Sequence, residues 1–96
     1  MLDKVKQMME LKKQADRIKR ELDSISVDIQ EVNGIKITIT GSQNFQAVEI
    51  DAAHLSPENK KRLEGDLLRS MNAAIKKSQM TAAQKMKDVM PDLPGM

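Results

Sequence analysis

The chain has 96 residues, 40% of them hydrophobic and 31% charged, with 16 basic against 14 acidic side chains and a net charge of +2. That length supports one domain with a thin core. The charge is too dense for a membrane protein and too interspersed with apolar residues for a disordered one, and no run of about 18 apolar residues offers a spanning helix. Zero cysteines exclude a disulfide framework, a thiolate metal site and a cysteine nucleophile. The N-terminus, Met1-Leu2-Asp3-Lys4, lacks the apolar stretch of a signal peptide, so a cytoplasmic protein is expected. With a net charge this small, binding to a polyanion requires the basic residues to be segregated onto one surface.

The first element reads as a helix from about Leu2 to Ser24. Its apolar residues Met8, Leu11, Ala15, Ile18, Leu22 and Ile25 follow alternating steps of three and four, a heptad seam. No Gly or Pro interrupts it, and Lys, Glu, Gln, Leu and Met are good helix formers. The period then drops to two. Ile25, Val27 and Ile29 alternate with Ser26, Asp28 and Gln30, and Ile35, Ile37 and Ile39 alternate with Lys36, Thr38 and Thr40. Asn33-Gly34 between them predicts a type I′ hairpin turn, which needs positive φ at both central positions. Gly41-Ser42-Gln43-Asn44 is the next turn. A third strand follows, with Val48 and Ile50 expected on one face and Phe45 and Ala47 on the other. Three strands with short turns make an antiparallel meander.

Ser56-Pro57-Glu58 predicts the start of a second helix, with Ser56 as N-cap and Pro57 at the first helical position. Leu68, Met71, Ile75, Ser78, Ala82, Met86 and Val89 recur at helical spacing. Pro91 places the helix end near Val89. The expected architecture is α+β, α-β-β-β-α, a single domain over residues 1–90 with a flexible tail at 91–96. A helix of roughly 23 residues is about 35 Å long, whereas a six-residue strand spans about 20 Å. The helices therefore overhang the sheet, and the isoleucine rows with two open sheet edges call for cover by a second copy. Ile35, Ile37, Ile39, Val48 and Ile50 are the expected core and dimer residues.

Catalytic signatures are not in evidence. His54 is the one histidine, in a loop approaching the second helix, and reads as a surface residue. Ser56 sits in a helix cap without a nucleophile-elbow motif. Metal-ligand spacing is missing, and Gly34 and Gly41 serve turns, not a phosphate loop. No enzyme, cofactor, metal or small-molecule substrate is expected. One aromatic, Phe45, cannot build the stacking platform that single-stranded nucleic acid uses. A nucleic-acid ligand would be duplex, held by its phosphates.

The basic residues are patterned. Lys6, Lys13 and Arg20 fall seven apart on the first helix, with Lys12 and Lys19 beside them and Glu10, Asp16 and Asp23 on the flank. Arg62, Arg69 and Lys76 repeat the spacing on the second helix, with Lys61 and Lys77 near. Two parallel basic tracks could follow a phosphate backbone. The same pattern also describes a solvated coiled-coil face laced with charge pairs.

Several stretches resemble the YbaB/EbfC family of nucleoid-associated proteins: Asn33-Gly34, the strand Ile35–Thr40, Gly41, Asn44, Val48-Glu49-Ile50-Asp51 followed by Leu55, Asn72-Ala73-Ala74, Lys77, Met86 and the closing Leu93-Pro94-Gly95. Their order and spacing cover nearly the whole chain. The resemblance implies a tweezers-like homodimer, duplex DNA binding through helix residues, a role in nucleoid organisation or gene regulation, and no enzymatic activity. Two features depart from the family. The Gly-rich stretch common between the first two strands is replaced by Gln30-Glu31-Val32-Asn33-Gly34, and the Gly/Met/Asn-rich leader is lacking. A prefoldin-like chaperone or coiled-coil scaffold is the competing reading, supported by two amphipathic helices joined through hairpins and by eight methionines suited to adaptable apolar contacts.

Overall fold

The computed structural model describes residues 2–89; the expected tail at 91–96 lies outside them. Helix α1 spans Leu2–Asp23, strands β1, β2 and β3 span Ser26–Val32, Ile35–Thr40 and Phe45–Ile50, and helix α2 spans Lys60–Val89. The strands form one antiparallel sheet in the order β1-β2-β3. Helix α2 lies across β1 and β2 on one face. The other face is polar: the Lys36 ammonium stands 3.6 Å from Glu49 and 4.0 Å from Asp28, and the Thr38 hydroxyl donates to Asp28 at 2.7 Å. One covered and one wet face is what period-two alternation requires of an antiparallel sheet.

The buried centre is Val27, Ile35, Ile37, Ile39 and Ala74, the three isoleucines fully closed off from solvent. The second helix does not reach them with the row its larger apolar residues suggest. Leu68 and Met71 face solvent, and the inward row is Leu63, Leu67, Ser70, Ala74 and Ser78. Ser70, Ala74 and Ser78 follow each other at four-residue steps and so share one face. Their small side chains let the helix backbone settle onto the branched isoleucines, a fit that larger residues would block. From Ser78 onward the expected row, with Ala82 and Met86, does turn inward. Because α2 already covers the isoleucines, they need no second copy to shield them.

The two buried serines differ. The Ser78 hydroxyl donates to the Thr40 carbonyl at 2.7 Å, while the Ser70 hydroxyl has no partner among the described residues. An unsatisfied buried hydroxyl costs about 1–3 kcal/mol, and a satisfied one contributes about 1 kcal/mol. Ser70→Ala is expected to leave stability unchanged or raise it by up to about 1 kcal/mol. Ser78→Ala is expected to lower it by up to about 1 kcal/mol, because a satisfied buried hydrogen bond is lost, although the Thr40 carbonyl keeps the Gln43 amide as a donor at 3.1 Å. Urea denaturation of the two variants side by side checks the opposite signs.

Local geometry departs from the sequence reading at four places. At Asn33-Gly34 only Gly34 has positive φ, +88°, the pattern of a type II turn and not type I′. An extra residue on β1 between Ile29 and Val32 resets the register there. In β3, Thr38 pairs with Ala47 but Ile39 pairs with Phe45, so Gln46 is a bulge. The bulge moves Phe45 onto the helix-facing side with Val48, opposite to the expectation from strict alternation. Ser56 makes no side-chain cap; a 3₁₀ turn over Pro57–Asn59 precedes α2, closed by the Asn59 amide donating to the Ser56 carbonyl at 3.0 Å.

Helix α1 is held only at its end. A Cβ on Gly41 would sit 3.0 Å from the Leu22 carbonyl oxygen and 3.3 Å from its Cδ2, so glycine at this turn serves the close approach of α1. The Gly41 amide donates to the Ile25 carbonyl at 3.1 Å, and the Ser42 hydroxyl donates to Asp23. No residue of α1 is buried. Of the expected seam, Met8, Leu11 and Ala15 face solvent, and Ile18, Leu22 and Ile25 are half-covered. Among the described residues, the seam therefore has no partner over its first half.

Candidate nucleic-acid interface

All nine basic residues singled out on the helices, Lys6, Lys12, Lys13, Lys19, Arg20, Arg62, Arg69, Lys76 and Lys77, are solvent-exposed. Seven residues are nearly two turns, so Lys6, Lys13 and Arg20 stay within about 40° of one another around α1, and Arg62, Arg69 and Lys76 do the same around α2. Each set spans roughly 21 Å along its helix, the rise of about six base pairs.

The two tracks do not lie side by side. The helices meet near their C-terminal ends, where Lys85 stands 3.9 Å from Glu21, and run antiparallel from there. Helices of about 33 and 45 Å fit a molecule 66 × 21 × 18 Å only if they overlap over a short length. The α2 track therefore occupies the sheet end of the rod, and the α1 track occupies the free arm. The sequence spacing placed each set on a helix edge; the connection through the sheet decided that the edges follow one another.

Their electrostatic surroundings differ as well. Asp66 bridges the two arginines of the α2 track, 3.9 Å from Arg62 and 3.2 Å from Arg69. The Lys77 ammonium donates to the Asp28 carbonyl at 3.2 Å, turned toward the edge of β1. On α1, Lys6, Lys12, Lys13, Lys19 and Arg20 make no ion pair among the described residues. Asp16 and Asp23 nevertheless line the same surface depression as Lys19 and Arg20, so the acidic flank intrudes on the basic edge near the sheet. The Asp66 pairs are legible in sequence as i,i+3 and i,i+4 spacings around one carboxylate. The Lys85–Glu21 contact joins residues of different helices and had no such local signal.

Ile35, Ile37 and Ile39 are buried, Ile50 is half-covered, and Val48 is 52% exposed. Phe45, Leu68 and Met71 are exposed too. On α2, Ala73, Lys77 and Met80 flank the β1 side with Ile29. At 100° per residue, Leu68 and Met71 fall on the opposite flank, toward β3. Phe45 and Val48 thus continue into Leu68 and Met71 as one apolar face that α2 leaves open. His54 caps the first hairpin, its Nε2 2.9 Å from the Asn33 carbonyl. Among the described residues, no group of three or more His, Asp or Glu side chains is placed to hold a metal ion, and no helix is long and apolar enough to cross a membrane.

A helix, a three-stranded antiparallel meander and a longer helix, with exposed basic residues along both helices, define a small α+β protein of α-β-β-β-α order. Residues 1–93 match the YbaB/EbfC DNA-binding family, and the chain belongs to it. A nucleoid-associated protein of Moorella thermoacetica is 30% identical over 94 residues, covering 95% of this chain and 90% of the relative. One from Akkermansia muciniphila is 31% identical over 96 residues, covering 96% and 92%. An uncharacterised protein of Mycoplasma pneumoniae is 34% identical over 62 residues, 65% of this chain and 62% of that protein.

Proposed function

We propose that this protein is a cytoplasmic, nucleoid-associated homodimer. In this reading it binds duplex DNA through phosphate contacts with low sequence specificity, organises the nucleoid and so affects gene expression. The observation that carries the reading is the exposed cationic edge of α1, free of ion pairs among the described residues, on an arm that no other described element covers over its first half. Family membership and the names of the relatives support DNA as the ligand. Phosphate contacts position a protein without reading bases, and neither helix is set out as a recognition helix backed by a helix-turn-helix. Two duplexes of unrelated sequence, titrated by fluorescence anisotropy, are expected to bind with similar affinity. Affinity should fall steeply between about 50 and 200 mM salt. Tight binding to one duplex only, or binding insensitive to salt, overturns the reading.

The second copy is proposed to sit on the face formed by Phe45, Val48, Leu68 and Met71. That face lies away from the α2 basic track, so pairing there leaves both tracks free for DNA. Sedimentation equilibrium is expected to return twice the 10.8 kDa chain mass, and Val48→Glu to shift the equilibrium toward monomer. A wild-type monomer at micromolar concentration removes the dimer from the proposal.

One observation favours the chaperone-like alternative: Leu2, Val5, Met8, Met9 and Leu11 are all exposed on the projecting arm. Apolar client binding would be insensitive to salt or strengthened by it, so the same titration separates the two.

A further inference from the structure

The β1 side of α2 carries a feature that phosphate binding does not require. Between the sheet edge and the helix runs an open trough of about 470 Å³, lined by the apolar Ile29, Ala73 and Met80 and by the cationic Arg69, Lys76 and Lys77. It continues past Met80 into a second hollow of about 360 Å³ bounded by Ile25 and Lys85. One carboxylate, Glu31, lines it against four cationic side chains. A duplex presents a charged sugar-phosphate backbone to such a surface, with no apolar side chain to cover Ile29, Ala73 and Met80. A ligand that satisfies both parts carries negative charge and apolar side chains together.

We propose that this trough is a docking site for an acidic amphipathic segment of a partner protein, its apolar side chains on Ile29, Ala73 and Met80 and its carboxylates on Arg69, Lys76 and Lys77. Charge complementarity selects the acidic partner. The open shape suits a helix laid lengthwise with anchors at i, i+3 and i+7. Strand addition to β1 is disfavoured, because Lys77 already occupies the Asp28 carbonyl on that strand. Arg69 and Lys76 also belong to the proposed DNA track. An occupied trough therefore displaces DNA from α2, and this competition alone rests on the DNA reading.

The test uses the full chain and two labelled synthetic peptides. One is glutamate-rich with leucines at i, i+3 and i+7; the other has serines in place of the leucines. The leucine peptide is expected to bind at least about tenfold more tightly than the serine peptide, a difference of about 1.4 kcal/mol. Met80→Gln, at a 71% exposed position where folding is not at stake, should abolish most of that difference and leave duplex affinity unchanged. Arg69→Ala with Lys76→Ala should weaken both ligands. Equal binding of the two peptides, no binding of either, or a leucine preference that survives Met80→Gln overturns the proposal. Peptide binding without DNA binding would sustain the trough and sink the DNA reading; the converse would do the reverse.

Discussion

Ile39→Asp is expected to abolish cooperative folding. Ile39 is fully buried, paired with Val27 on one side and Phe45 on the other, in a core of only five buried apolar residues. The substitution loses about 1.5–3 kcal/mol of apolar burial. It also places a carboxylate in a fully buried apolar site, at a further cost of several kcal/mol unless it is protonated or paired. A small domain has roughly 5–15 kcal/mol of stability in total, and a core this thin belongs near the bottom of that range. Thermal unfolding followed by circular dichroism is expected to show no transition for Ile39→Asp. The control Ile39→Val, which removes one methylene, should lose only about 0.5–1.5 kcal/mol. Wild-type melting of Ile39→Asp would mean that β2 presents its other face to α2.

The second large effect concerns the basic tracks, and the two helices should not respond equally. Each lost phosphate contact makes the log–log salt slope shallower by about 0.9. Lys13→Ala with Arg20→Ala removes two contacts, so the slope should fall by nearly two and affinity by roughly ten- to a hundredfold at ~0.1 M salt. Arg69→Ala with Lys76→Ala should cost less. Arg69 already shares Asp66 with Arg62, and its removal leaves that carboxylate to the remaining arginine. Lys36, paired on the polar sheet face, and His54, held at the hairpin, serve as comparison sites with little expected effect. The measurement is duplex affinity at two salt concentrations, after circular dichroism has confirmed intact helices. Wild-type affinity and slope in both double mutants would reduce the tracks to solvated helix faces.

The part of this architecture that depends on near neighbours was legible in the sequence. Alternation of Ile35, Ile37 and Ile39 reported which side of β2 is buried, because successive strand side chains point to opposite faces. Asn33-Gly34 announced a turn, although which of its residues takes positive φ depends on how the bulged β1 meets β2. Seven-residue spacing placed each basic set on one helix edge, since the period of an α-helix is a property of the backbone. The resemblance to the YbaB/EbfC family rested on short stretches whose order and spacing are themselves sequence.

Tertiary structure decided the rest, wherever the outcome depends on which surfaces meet. The periodic row read from the sequence began with Leu68 and Met71, which face solvent, and went on through Ile75, which packs against the core, and Ser78, which is buried. Ahead of Ser78, close packing against branched isoleucines selected the smaller Ser70 and Ala74 in place of Leu68 and Met71, because the helix gains more contact by approaching than by interposing large side chains. A single extra residue at Gln46 moved Phe45 across the sheet, and period-two alternation cannot foresee where a strand will bulge. The short overlap of α1 with α2 at Glu21 and Lys85 set the two basic tracks end to end. A helix wheel contains no information about that, because it describes one helix at a time, and the distance between two helices is fixed only by the sheet and turns that join them.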